Sequence, residues 1–202
     1  LLDAEAAEET RAEVSEESGE DRFERPRFEQ RERGLTSAQR GSAMHSVMEH
    51  IDLDRAADAE SVAREIERLV QGGWLTRQQG DAVNPAQIAG FWDSDVGRAA
   101  RSAPNLRREF KFSVLMPASR YQPGVPETET MLLQGVVDCC FETAEGLTVI
   151  DFKTDRVTSE TVAERAEGYR GQIELYSQAL TELTGKRVVT KMLWFFAVNQ
   201  GF

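Results

Sequence analysis

The chain has 202 residues, of which 40% are hydrophobic and 29% charged, enough for one domain with a sizeable core. It contains no apolar run long enough to span a bilayer and no basic-start, small-residue-cleaved signal peptide, and its two adjacent cysteines, ill placed to pair, fit a reducing, cytoplasmic setting. The formal net charge of -11 argues against a nucleic-acid partner only at first sight, because residues 1–21 carry nine acids against Arg11 and leave just -3 for the remainder.

That acidic, Glu/Ala/Ser-rich start reads as a solvated linker, and "RFERPRFEQRERG" (22–34) as an extended arm of alternating charge. Beginning at Leu1 without a methionine, the chain is expected to be a piece of a longer polypeptide. A first helix is predicted from Thr36 or Ser37 to Ile51, with Ala38, Met44, Val47, Met48 and Ile51 as its apolar residues. Gly41 within it costs helix stability and points to a close approach of another backbone. A second helix is predicted over 59–71 on Val62, Ile66, Leu69 and Val70, and short helices across 76–102, with Pro85 in a first-turn position.

The hydrophobic period then changes. "LRREFKFSVLM" (106–116) alternates and ends at Pro117, as a strand does. After a Pro-rich loop over 118–130, strands are expected at 131–142 and 147–154, forming a hairpin around Ala144-Glu145-Gly146. An amphipathic helix over 168–184 presents Tyr169, Ile173, Tyr176, Leu180 and Leu183 and stops at Gly185. The last segment, "RVVTKMLWFFAV" (187–198), is a buried strand. The expected fold is α/β: a mixed central sheet flanked by helices, with a helical N-terminal layer.

Three ionisable side chains stand where strands usually carry apolar ones: Asp138 in "GVVDCCF", and Asp151 and Lys153 in "VIDFKTD". Period-2 geometry puts Val149, Asp151 and Lys153 on one face, and Asp138 with Val136 and Cys140 on another. If the hairpin is in register, the two aspartates converge, and two adjacent carboxylates repel unless a cation lies between them. Such a set suits a hard divalent metal held by oxygen, beside a lysine that can stabilise developing negative charge. Taken alone, an Asp-x-Lys pair is more often an exposed ion pair and Asp138 an edge-strand charge. The run "LTVI" before Asp151 argues for a central, buried strand. The only cysteines, Cys139 and Cys140, are adjacent on one strand; they point to opposite faces and are too few for a zinc or iron–sulfur centre. The one dense basic cluster, Arg98, Arg101, Arg107, Arg108 and Lys111, reads either as a DNA-facing patch or as a solvated face with local ion pairs.

These residues carry a resemblance. "GVVDCCF" followed by "VIDFKTD" resembles the metal-binding core of the PD-(D/E)xK nuclease superfamily. "RGSAMHSVMEHID" (40–52), "REFKFSV" (108–114) and "YRGQIELYSQAL" (169–180) are similar to motifs of the C-terminal nuclease domain of AddA/RecB-type helicase–nucleases. The motifs run in the expected order across 35–202, so 1–34 is expected to be the linker and arm and 35–202 the nuclease domain, with a restriction-endonuclease-like core. The resemblance implies that His45, Asp138 and Asp151 ligate Mg²⁺ (with Mn²⁺ able to substitute), and that the Phe152 carbonyl completes the set. It implies that Lys153 is the catalytic lysine, acting with Asp138 and Asp151, that Gln172 and Tyr176 sit beside the active site and the DNA strand, and that Glu109 lies near the site. It further implies single-stranded DNA as substrate and a role in double-strand-break processing. The partners it implies are a helicase domain upstream in the same polypeptide and a second helicase–nuclease subunit. The iron–sulfur cluster of some relatives is not expected here. On residue type alone, a single helical His is more often structural, Tyr176 is simplest as core, Gln172 as a boundary residue, and Glu109 as a surface residue answering Arg107 or Lys111.

Overall fold

The computed structural model describes residues 34–202; apart from Gly34, the expected linker and arm lie outside the described residues. Among the described residues, five helices precede the sheet: α1 (Ser37–His50), α2 (Ala59–Gln71), α3 (Arg77–Ala82), α4 (Pro85–Asp93) and α5 (Asp95–Ser102). Their starts follow from side chains that satisfy the free N–H groups of a first turn. Thr36 and Gln39 form a reciprocal capping box on α1, Asp58 and Ser61 another on α2, and Asn84 precedes Pro85 on α4. Next come β1 (Arg107–Pro117), β2 (Thr130–Glu142), β3 (Leu147–Lys153), α6 (Val162–Thr184), β4 (Val188–Phe195) and the short β5 (Gln200–Gly201).

The strands form one mixed sheet in the order β1-β2-β3-β4-β5, antiparallel except for β3 and β4, which are parallel and joined by the α6 crossover. Helices cover both faces. On one face Val47, Ile51, Leu69, Ile88 and Phe91 of the N-terminal layer pack on Cys139, Ile150, Phe152 and Trp194. The Phe91 ring makes edge contacts with Trp92, Phe152 and Trp194 at 4.7, 4.9 and 5.2 Å. On the other face Val162, Ile173 and Leu180 of α6 cover Val137, Cys140, Val149 and Phe195. β3 lies between two strands and under both layers, so all seven of its residues are buried.

Two expectations are corrected. The predicted final strand over 187–198 ends at Phe195, turns through Asn199 at φ +48°, and returns as β5, whose two residues are too few to leave a periodic signal. The helix predicted from 168 begins at Val162, six residues earlier, which brings Arg165 onto it.

Strict alternation along β2 also breaks. Cys139 faces the N-terminal helices, but Val137, two residues away, packs on the α6 side with Cys140, while Val136 is only half-buried. The break falls at Asp138, opposite Glu109 of β1. Glu109 has φ +48°, a left-handed conformation that costs energy for any residue with a side chain. Sequence alternation therefore misassigned Val136, because a local backbone kink exchanges the faces of both strands at this level.

Candidate active site

The strand register places the carboxylates. Between the pairs Arg108↔Cys139 and Phe110↔Val137, Glu109 stands opposite Asp138; one step past Cys139↔Ile150, Asp138 stands opposite Asp151, which pairs with Leu193 of β4. Three acids thus form a row across β1, β2 and β3, at the level where the backbone is kinked. α1 brings His45 to this row. The approach depends on Gly41, one turn earlier, where a Cβ would lie 2.9 Å from Thr154 Oγ1, just past the end of β3. The close approach at Gly41 is thus to the Thr154 side chain, where a backbone was expected.

His45 Nδ1 lies 3.3 Å from Glu109 Oε1 and 3.4 Å from Asp138 Oδ1. Asp138 Oδ2 accepts the Phe152 backbone N–H at 2.6 Å. The Phe152 ring points into the aromatic core, which leaves its main chain toward the site. The N–H and C=O of one strand residue point to the same side, so its carbonyl is also directed toward β2. Asp151 is turned to Lys153, with Oδ2 2.6 Å from Nζ, and both are buried. That contact lacks the alignment of a hydrogen bond, so Asp151 Oδ2 has charge pairing but no aligned donor. Lys153 Nζ donates to Gln172 Oε1 at 2.7 Å, and Gln172 Nε2 donates to Tyr176 OH at 3.1 Å.

Electrostatics follow from this packing. Burial works to lower the pKa of His45, but the hydrogen bonds and charges of Asp138 and Glu109 outweigh it and lift the imidazole from 6.5 to about 10. Burial raises the Asp151 carboxyl from 3.8 to about 6, with Lys153 opposing the rise and Asp138 adding to it. Burial likewise raises the Tyr176 phenol.

All eight residues singled out from the sequence therefore gather at one level of the sheet, in two linked groups. His45, Glu109 and Asp138 offer ligand atoms within 4.8 Å of one another, and among the described residues they are the group that could hold a metal. Asp151, Lys153, Gln172 and Tyr176 form the second group, joined to the first through β3 and the row of acids. Glu109 answers His45 rather than Arg107 or Lys111. An imidazole, carboxylate oxygens and the buried Asp151 Oδ2 without an aligned donor fit a hard divalent cation such as Mg²⁺ or Mn²⁺.

Sequence reasoning assigned no role to Tyr169 beyond the apolar face of its helix, nor any to Asp155 and Arg165. Their signal was the spacing 165, 169, 172, 176, which is legible only once the helix starts before residue 165. Four of the five residues of the basic cluster have partners within the chain. Arg98 pairs with Asp93 and Asp95, Arg101 and Arg108 donate to backbone carbonyls at 53, 56, 48 and 51, and Arg107 lies over the Phe110 ring.

Gly135 of β2 seats the second group. A Cβ there would fall 2.8 Å from the Phe112 ring and 3.2 Å from Tyr176. Gly135→Ala is expected to displace Tyr176 and lower stability by about 1–3 kcal/mol. An unchanged melting temperature would show that the ring yields freely.

A mixed sheet with helices on both faces and a His–Glu–Asp cluster able to hold a metal is the arrangement of a PD-(D/E)xK nuclease. The PD-(D/E)xK nuclease superfamily model matches residues 19–200, and the chain belongs to that family. Relatives extend the likeness over most of the chain. It is 41% identical over 180 residues to the A-type ATP-dependent helicase/nuclease subunit of Desulforamulus reducens, covering 87% of this chain and 14% of that protein. It is 38% identical over 193 residues to the corresponding protein of a Thermoanaerobacter species (92% and 16%), and 36% identical over 183 residues to that of Bacillus velezensis (86% and 15%). The chain thus spans about one-seventh of the length of these curated relatives. No helix among the described residues is long and apolar enough to cross a membrane.

Proposed function

We propose that this chain is the nuclease domain of a helicase–nuclease, hydrolysing phosphodiester bonds of single-stranded DNA during double-strand-break processing in the cytoplasm. The observation that carries the reading is the row Glu109, Asp138 and Asp151, with His45 above it and Lys153 buried beside it. His45, Asp138, Asp151 and the Phe152 carbonyl would hold the cation, and the distance from Glu109 to His45 adds Glu109 to that set. When bound, Mg²⁺ or Mn²⁺ supplies Lewis-acid activation of the scissile phosphate and of water. Lys153 brings a buried positive charge to the phosphate as negative charge develops on it. Asp138 ties the site to β3 through the Phe152 N–H and fixes the spacing of the row. Gln172 bonds to both Lys153 and Tyr176, and in this reading Gln172 and Tyr176 position the strand. Residues 1–34 serve in this reading as the tether to a helicase domain upstream, and the partner is a second helicase–nuclease subunit; the names and greater lengths of the relatives support it.

The test is incubation of the chain with labelled single- and double-stranded DNA, with Mg²⁺ and with EDTA. Mg²⁺-dependent cleavage that EDTA stops is expected; no cleavage of either substrate would favour a nuclease-like docking module. Mn²⁺ should replace Mg²⁺, and Ca²⁺, larger and a weaker Lewis acid, should bind without turnover.

DNA affinity is expected to be low. Phosphate neutralisation by Lys and Arg supplies most of it, and much of the positive charge here is spent on internal acceptors. Fluorescence anisotropy with a labelled oligonucleotide should give a dissociation constant on the order of micromolar or weaker at physiological salt, with single strands preferred. Tethering to a helicase would raise the local strand concentration and quicken cleavage. Nanomolar duplex binding that persists at high salt would instead support a stand-alone nuclease.

A further inference from the structure

Arg165, Tyr169, Gln172 and Tyr176 follow one another along α6 at spacings of four, three and four, so they form a stripe on one helix face, and that face meets β3. Two of the four hold Lys153. Its Nζ lies 2.6 Å from Asp151 Oδ2, donates to Gln172 Oε1 at 2.7 Å, and sits 3.6 Å from the centroid of the Tyr169 ring. We infer that Tyr169 is a positioning residue for the reaction proposed above, its ring face fixing where the Lys153 ammonium points; the inference rests on that reading and deepens it.

A lysine carries its charge on a flexible four-carbon stem, and a charge meant for a developing phosphate anion works only if its place is fixed. Of the three groups around Nζ, the Asp151 carboxylate offsets the charge it holds. Gln172 and Tyr169 are neutral. An amide oxygen and the negative face of an aromatic ring attract the ammonium without cancelling its charge, so the charge stays available to substrate. The ring is held by its packing beneath α6, and its hydroxyl adds a second, separate anchor. Tyr169 OH donates to Asp155 Oδ1 at 2.8 Å, Arg165 Nη2 donates to Tyr169 OH at 2.7 Å, and Arg165 Nε donates to the same Asp155 Oδ1 at 2.7 Å. This closed triangle joins α6 to the segment just beyond β3. Phe195 of β4 adds a ring contact at 6.4 Å. The hydroxyl anchors the ring and the face holds the lysine, so the two functions can be separated by substitution.

The test uses lysine labelled with ¹³C, which suits a chain with only Lys111, Lys153, Lys186 and Lys191. Nuclei above an aromatic face are shifted upfield by its ring current. The Lys153 ε signal, assigned from its loss in Lys153→Met, is expected upfield of the other three in the wild type and in Tyr169→Phe, and among them in Tyr169→Leu. Cleavage of a labelled oligonucleotide with Mg²⁺ gives the second measurement. Tyr169→Leu should lower kcat about tenfold with KM little changed, and Tyr169→Phe should recover most of that loss. An unshifted Lys153 in the wild type overturns the inference whether or not the variants fold. Equal loss of kcat in Tyr169→Phe and Tyr169→Leu also overturns it, because the hydroxyl would then matter and the ring would not. Absence of cleavage by the wild type defeats the nuclease reading, and with it any positioning role in that reaction; the spectrum tells that failure apart from a misplaced lysine.

Discussion

Lys153→Met and Asp151→Asn are each expected to lower cleavage by about a thousandfold or more while the chain stays folded, since in the proposed reading each removes a charged group that would meet the reacting phosphate or its cation. These substitutions are better tests than alanine because both residues lie on a fully buried strand and face each other at 2.6 Å. Truncating one would leave the other charged and alone, and the resulting instability would obscure any catalytic effect. Methionine keeps the length of the lysine stem. With Lys153 gone, Asp151, already raised to about 6 by burial, can take up a proton near neutrality and so escape an isolated charge. Asp151→Asn acts the other way. The folded pKa of Asp151 lies above its unfolded value near 4, so its stabilising effect is complete below about pH 4 and is lost as pH rises through about 6. At pH 7 the charged carboxylate is therefore a cost, which asparagine removes, while Lys153 keeps Gln172 and the Tyr169 ring as partners. Circular dichroism and thermal melting should show native-like folds for both variants. Cleavage near the wild-type rate by either one would dismiss the catalytic assignment.

Much of this arrangement was legible in the sequence, and the parts that were not share a physical cause. α1 and α2 start within a residue of their expected limits because Thr36 and Asp58 are strong capping residues ahead of apolar periodicity. The hairpin was legible because a tight turn between two apolar runs admits few registers, and the register alone sets Asp138 against Asp151. Glu109 was different. Its placement beside His45 depends on a left-handed backbone at a glutamate, which no residue type announces, and on an exchange of faces that strict alternation cannot represent. The sequence left the basic cluster open between a patch and a solvated face for a related reason. Density of arginine along the chain says nothing about acceptors, and Arg108 finds its acceptors in the carbonyls at the end of α1, nearly sixty residues away in sequence. Tyr169 was visible only as an apolar position. A ring used for its face and a ring used for its volume have the same hydrophobic pattern, and only the position of Lys153 distinguishes them.

Mn²⁺ affinity is expected to rise steeply with pH, by about tenfold per unit between pH 7 and 9. A metal-ligating histidine must be neutral, whereas His45, held between Glu109 and Asp138, keeps its proton up to about pH 10. Its folded pKa is above its unfolded value of 6.5, so the ion-paired imidazolium adds full stability below about pH 6.5 and that stability is lost as pH rises through about 10. Across the whole neutral range a cation must therefore displace one proton to bind. Below about pH 6 it must also displace the proton that Asp151 takes up, so the dependence should steepen further toward acid. Titration calorimetry in buffers of different ionisation enthalpy counts these protons directly: close to one released per Mn²⁺ at pH 7.5, and more than one at pH 5.5. In His45→Ala the proton released at pH 7.5 should disappear, the pH dependence above pH 7 should flatten, and affinity should fall, because one ligand is gone even though no proton competes. Retained affinity with an unchanged proton count in that variant would remove His45 from the metal site and make it a packing residue. The same result would leave Glu109 and Asp138 as two carboxylates close together with no cation from the protein between them, and the case for Glu109 as a ligand would have to rest on its own substitution, Glu109→Gln, measured in the same way.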